Sequence, residues 1–112
     1  DASARADLKF HGAVVNASHN AMLIHMMTSI YDLTRRGLFY NRKYLRAVDG
    51  TGDMLLDQHH RIAEAVLAGD PDRAEAAARE HLTFVETSFR EGTARERRED
   101  FAQKRRIASS LP

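Results

Sequence analysis

The tripeptide Gly69-Asp70-Pro71 constrains this 112-residue chain more than any other feature. A glycine just past the last apolar turn stops a helix, an aspartate caps the next one, and proline suits the first position inside it. Both flanks are helical in pattern. Leu55, Leu56, Ile62, Ala63, Val66 and Leu67 precede the turn at helical spacing, and the alanine-rich DPDRAEAAAREHLTFVETSF follows it. Two helices joined so tightly lie antiparallel.

The rest of the chain reads in the same way. A first helix is expected from about Ala4 to Ala17, ended by NASHN, whose residues favour caps and turns; His19 belongs to that turn. A second helix then places Met22, Met26, Ile30 and Leu33 on one stripe and closes with Arg35 and Arg36 before Gly37. Residues 38–52 lack sustained periodicity and read as a connector, after which Asp53 is the expected cap of a third helix. Beyond Phe89 the chain is almost all charge, and a frayed helix or mobile tail is expected. The division is therefore a helical domain over residues 1–90 and a charged C-terminal helix or tail over 91–112. Neither a repeat nor a strand pattern is visible, so the fold class is all-α, an antiparallel helical bundle.

Composition narrows the function. Seventeen basic and sixteen acidic residues leave a net charge of +1, without the positive field of a nucleic-acid-binding domain. There is no cysteine, so disulfides, thiolate metal sites and cysteine nucleophiles are excluded, and any metal must use N and O ligands. No apolar run approaches the roughly 18 residues of a membrane span, and a soluble, cytoplasmic location is expected. The chain opens on Asp1 rather than Met, and part of a larger molecule is expected to be missing.

The stretch ADLKFHGAVVNASHN raises a chemical question. Asp7, Phe10, His11 and Val14 fall on one helical face, and a carboxylate facing a core needs compensation. Across the Gly69-Asp70 turn, His60 and His81 lie about 15 to 17 Å up their helices and are level. His60 continues a stripe with Leu56, Ala63 and Leu67, and His81 one with Ala74, Ala77, Phe84 and Val85. One carboxylate and three imidazoles suit a divalent transition metal, Zn²⁺, Ni²⁺, Mn²⁺ or Fe²⁺. Periodicity leaves alternatives: His59 shares a parallel stripe with Leu55, Ile62 and Val66, and His25 sits beside Met22 and Met26. The methionines read as core filler, although methionine also suits an adaptable ligand pocket.

The stretches DLKFHGAVVNASHN and HRIAEAVLAGDPDRAEAAAREHL together resemble the FCD domain, the C-terminal effector-binding domain of FadR-subfamily GntR transcription regulators. The resemblance implies that Asp7, His11, His60 and His81 are metal ligands, with HR followed by GD selecting His60 over His59. It also implies a small carboxylate effector held by the metal, a homodimer, and DNA binding only through a winged helix-turn-helix domain that this chain lacks. Asn20 matches the family's asparagine after the first motif helix, where it lines or braces the effector pocket; capping a helix is the other reading. The resemblance also implies further helices before this segment, expected to belong to the missing part of the molecule and to complete the pocket. A regulatory, non-enzymatic domain is the leading expectation. A helical-bundle metalloenzyme would need a separate base, which neither Glu64 nor Glu80 is placed by pattern to supply, and a metal-free interaction domain would leave the histidines structural.

Overall fold

A computed structural model describes residues 2–35 and 50–110, with the side chains of Thr34 and Arg35 left aside. The described residues form four α-helices: α1 (Ala2–Asn16), α2 (Ala21–Arg35), α3 (Thr51–Leu67) and α4 (Pro71–Ser109). They contain no strand, so the all-α class holds. The chain divides into two compact units, one carrying α1 and α2 and the other α3 and α4. The expected connector over 38–52 falls mostly outside the described residues.

In the first unit α1 packs on α2. The link is short because its residues supply their own caps. Ala17 N–H donates to Ala13 O at 3.0 Å, and His19 takes the left-handed conformation, φ 52°. Left-handed backbone is several-fold enriched for histidine over most non-glycine residues, which suits His19 to the turn. Asn20 caps α2, its Oδ1 accepting from Leu23 N–H at 3.1 Å. The stripe expected to fill a core is instead exposed at Met22 (73%), Met26 and Ile30, while Ile24, Met27 and Tyr31 are the half-buried side of α2.

The second unit is an antiparallel hairpin. Gly69 is left-handed, φ 65°, where a Cβ would be strained, and Asp70 Oδ1 accepts from Arg73 N–H at 3.0 Å with Pro71 next in line. Cross-helix pairs then run in opposite directions from the turn: Glu64 with Arg73, Arg61 with Glu80, and Gln58 with His81. Thr51, Leu55, Gln58, Ile62 and Ala65 form the buried seam of α3, at alternating spacings of four and three; His81, Ser88 and Gly92 are buried on α4. The expected inward stripe turns outward at Leu56 and Leu67, the latter 88% exposed, while Ala63 is half-buried. The cap of α3 is Gly50, φ 81°, rather than Asp53, which sits in the first turn where its charge favours the helix dipole.

Helix α4 runs unbroken through the segment expected to fray. Its 39 residues span about 58 Å, against about 25 Å for the 17 of α3, so more than half of it extends past α3. Charge spacing accounts for this: Arg95 pairs with Glu99 at 2.9 Å and Lys104 with Asp100 at 2.8 Å, each four residues apart. Such exposed pairs contribute roughly 0.2–0.5 kcal/mol each to helix stability.

The seam of α3 gives a direct test. Ile62→Ala is expected to lower unfolding free energy by about 2–5 kcal/mol, since Ile62 is only 4% exposed, whereas Leu67→Ala should stay within about 0.5 kcal/mol, both measured by urea denaturation. The reverse order would place the outward stripe in the core.

Candidate metal centre

Each hairpin brings one pair of candidate ligands together. On α1, Asp7 and His11 are one turn apart, with Oδ1 3.7 Å from Nε2 and both side chains about a quarter exposed (24% and 25%). His11 stands edge-on to Phe10, ring centroids 5.4 Å apart, and its ring lies 6.4 Å from that of Tyr31 on α2. Burial lowers the His11 pKa from its ordinary value, and the Asp7 carboxylate opposes that shift. Burial also raises the Tyr31 hydroxyl, with the charge of Asp7 adding to the effect. Asp7 and His11 thus share one face a turn apart, as the spacing predicts.

On the second hairpin His81 is 3% exposed. Its Nδ1 lies 2.9 Å from Gln58 Oε1, and its Nε2 lies 3.3 Å from Nε2 of His59. The two imidazoles meet edge to face, centroids 4.6 Å apart at 66°. This departs from the register expected from sequence: the residue level with His81 is His59, and His60 is exposed. The physical reason is the seam itself. Gln58 and Ile62 point into the hairpin, which leaves His59 at its margin and rotates His60 away. A hydrophobic pattern passes over Gln58 because it is polar; the four-three spacing of Thr51, Leu55, Gln58, Ile62 and Ala65 is the signal that finds it.

The other expected residues have plainer roles. The Oδ1 of Asn20 is the α2 cap described above, and His25 is exposed, its carbonyl accepting from Ser29 Oγ at 3.0 Å. Glu80 and Asp57 both bind Arg61, at 3.0 and 2.7 Å, and hold its guanidinium pKa above the ordinary value, the Asp57 hydrogen bond being the largest cause. Glu64 pairs with Arg73 at 3.4 Å. Neither Glu64 nor Glu80 is placed as a base beside the histidines.

Three described histidines, His11 in the first unit and His59 and His81 in the second, offer ring nitrogens of the type a divalent transition metal takes. All-α hairpins, one with a half-buried Asp–His turn and the other with a buried His81 beside a half-buried His59, define a small helical domain whose histidines could hold a metal. The chain belongs to the FCD domain family, which it matches over residues 1–84. Its relatives are GntR-family transcription regulators. It is 35% identical over 90 residues to the putative L-lactate dehydrogenase operon regulatory protein of Escherichia coli K12, covering 80% of this chain and 35% of that protein. It is 39% identical over 83 residues to the HTH-type transcriptional regulator LutR of Bacillus subtilis 168 (73% and 38%). It is 34% identical over 86 residues to the Glc operon transcriptional activator of E. coli K12 (77% and 34%). The chain therefore spans about a third of the length of these relatives, which are named as regulators and not as enzymes. No solved structure matches the chain.

The charge balance at His11 is open to measurement. In metal-free protein its NMR titration midpoint is expected below about 6.5, and Asp7→Asn, which removes the opposing attraction, should lower it further. The sign for stability follows. Above the unfolded value the imidazole is neutral in both states; as pH falls through that value the unfolded chain binds the proton first, so this group's contribution is lost on acidification. A midpoint at or above 6.5, or one raised by Asp7→Asn, would contradict the assigned causes.

Proposed function

We propose that this chain is the effector-sensing domain of a bacterial GntR-type transcription regulator, holding one divalent transition metal and, through it, a small carboxylate effector. The first hairpin supplies Asp7 and His11. The second supplies His81 and, in place of His60, His59. Family membership supports a regulatory domain, and the observation that carries the metal reading is the 3.3 Å approach of the His59 and His81 Nε2 atoms. Two imidazole nitrogens so close need one donor between them or a cation. A divalent metal with positions left open is a Lewis acid and a receptor for carboxylate oxygens.

A carboxylate effector is further supported by one relative's name, which refers to an L-lactate dehydrogenase operon and so to a small hydroxy acid. Any contact from Asn20 to a carboxylate would come from its amide nitrogen, since a carboxylate only accepts, while its oxygen caps α2. In the intact, homodimeric, cytoplasmic regulator DNA would be bound by a separate winged helix-turn-helix domain. Effector binding would alter DNA affinity only to the extent that it favours one arrangement of the paired reading domains over another. Among the described residues no helix is long and apolar enough to cross a membrane.

Elemental analysis of the purified chain is expected to find about one equivalent of transition metal. His59→Ala and His81→Ala should lose it, and His60→Ala should retain it. L-Lactate should then raise the thermal midpoint of the metal-loaded chain and leave a chelator-treated sample unmoved. Absence of metal after reconstitution with Zn²⁺, Ni²⁺, Mn²⁺ and Fe²⁺ would sink the reading, and loss in His60→Ala alone would restore the register expected from sequence.

A further inference from the structure

Gln58 occupies a core position of the α3 seam, 4% exposed between Leu55 and Ile62, where an apolar residue would pack without cost to a polar group. Its Oε1 lies 2.9 Å from His81 Nδ1. A carboxamide oxygen only accepts, so the proton of the neutral His81 ring resides on Nδ1, and the lone pair is on Nε2. That Nε2 is the atom 3.3 Å from His59 Nε2.

The geometry points to Gln58 as a positioning residue of the metal centre: it holds His81 in the Nδ1–H tautomer and fixes the ring plane, so that Nε2 is presented as a ligand. This rests on the metal reading above and adds to it the residue that sets the strength of the site. Without a metal, His59 Nε2–H donates to His81 Nε2. To offer Nε2 to a metal as a neutral ligand, His59 would take the Nδ1–H tautomer, its proton moving from Nε2 to Nδ1 by exchange with solvent, whereas His81 would need no change of tautomer. Histidine ligands depend on such partners on their far nitrogen, whose removal typically weakens metal affinity by about 10–100-fold. A neutral carboxamide also keeps the interior free of a second buried charge.

The test is a Zn²⁺ titration against a chromophoric chelator, paired with ¹⁵N NMR of the histidine rings. Gln58→Leu is expected to bind Zn²⁺ about 10–100-fold more weakly than wild type, with an unchanged helical circular dichroism spectrum and with His81 no longer held to one tautomer. Gln58→Glu, which restores an acceptor, should recover most of the affinity. Equal Zn²⁺ affinity in wild type and Gln58→Leu would overturn the role of Gln58 while leaving the metal centre standing. Should Gln58→Leu fail to fold, the wild-type spectrum alone decides, since an Nε2–H tautomer at His81 in the zinc-loaded chain overturns the proposal. A wild type that binds no Zn²⁺ but shows the Nδ1–H tautomer would overturn the metal reading and reduce Gln58 to a packing partner.

Discussion

The second hairpin depends on burying an imidazole. His81 is shut into the α3–α4 contact, and a buried imidazole is tolerated only where its nitrogens have partners. Gln58 meets one nitrogen and His59 the other, from adjacent positions on α3. That arrangement holds in a single register of the two helices. A shift by one residue would rotate the carboxamide by about 100° and leave both groups without their partners. The Gly69–Asp70–Pro71 turn sets the same register from the other end, so local turn chemistry and the buried polar contacts agree.

Ion pairs on the outside of the hairpin run in that register too, but they do not determine it. Arg61 bridges Asp57 and Glu80, and Arg73 reaches Glu64, with side chains about half exposed or more. Solvent screens such pairs, and each contributes little to stability. Their larger consequence is electrostatic placement. The acidic side chains nearest the histidine pair in sequence are tied to guanidinium groups, which leaves neutral nitrogen donors as the inward face of this hairpin.

Helix positions, the α3–α4 turn and the inward face of His81 were legible because each rests on local chemistry: a glycine stop, an aspartate cap, a proline and an alanine-rich face. The Asp7–His11 pairing was legible for the same reason, four residues being one helical turn. The face of α3 was not. Two neighbouring stripes are comparably apolar there, Leu56, Ala63 and Leu67 against Leu55, Ile62 and Val66, and hydrophobicity alone does not separate them. The true seam passes through Thr51 and Gln58, polar residues admitted because one of them meets a buried histidine. The long charged end of α4 is legible only as a helix or a tail: its apolar residues are few, and the opposite charges at one-turn spacing are what favour the helix. The α2 stripe of Met22, Met26 and Ile30 has the expected period but lies exposed, since periodicity shows which residues share a face and not what covers it.

On the proposed reading, the donor set also accounts for the kind of effector. Three neutral imidazoles and the one carboxylate of Asp7 leave a divalent metal with one unit of its charge uncompensated. Gln58 adds no charge, whereas a glutamate at that position would bring the site toward neutrality. A centre with residual positive charge in a partly apolar setting favours a monoanionic oxygen ligand over a neutral one, because Coulomb attraction is strengthened where water is excluded. The same balance couples the site to pH. Protons compete with the metal for the imidazoles, so acidification weakens the metal site. Metal affinity and effector affinity are thus linked through a single quantity, the net charge at the histidines, and the carboxamide of Gln58 is the side chain that keeps that charge positive.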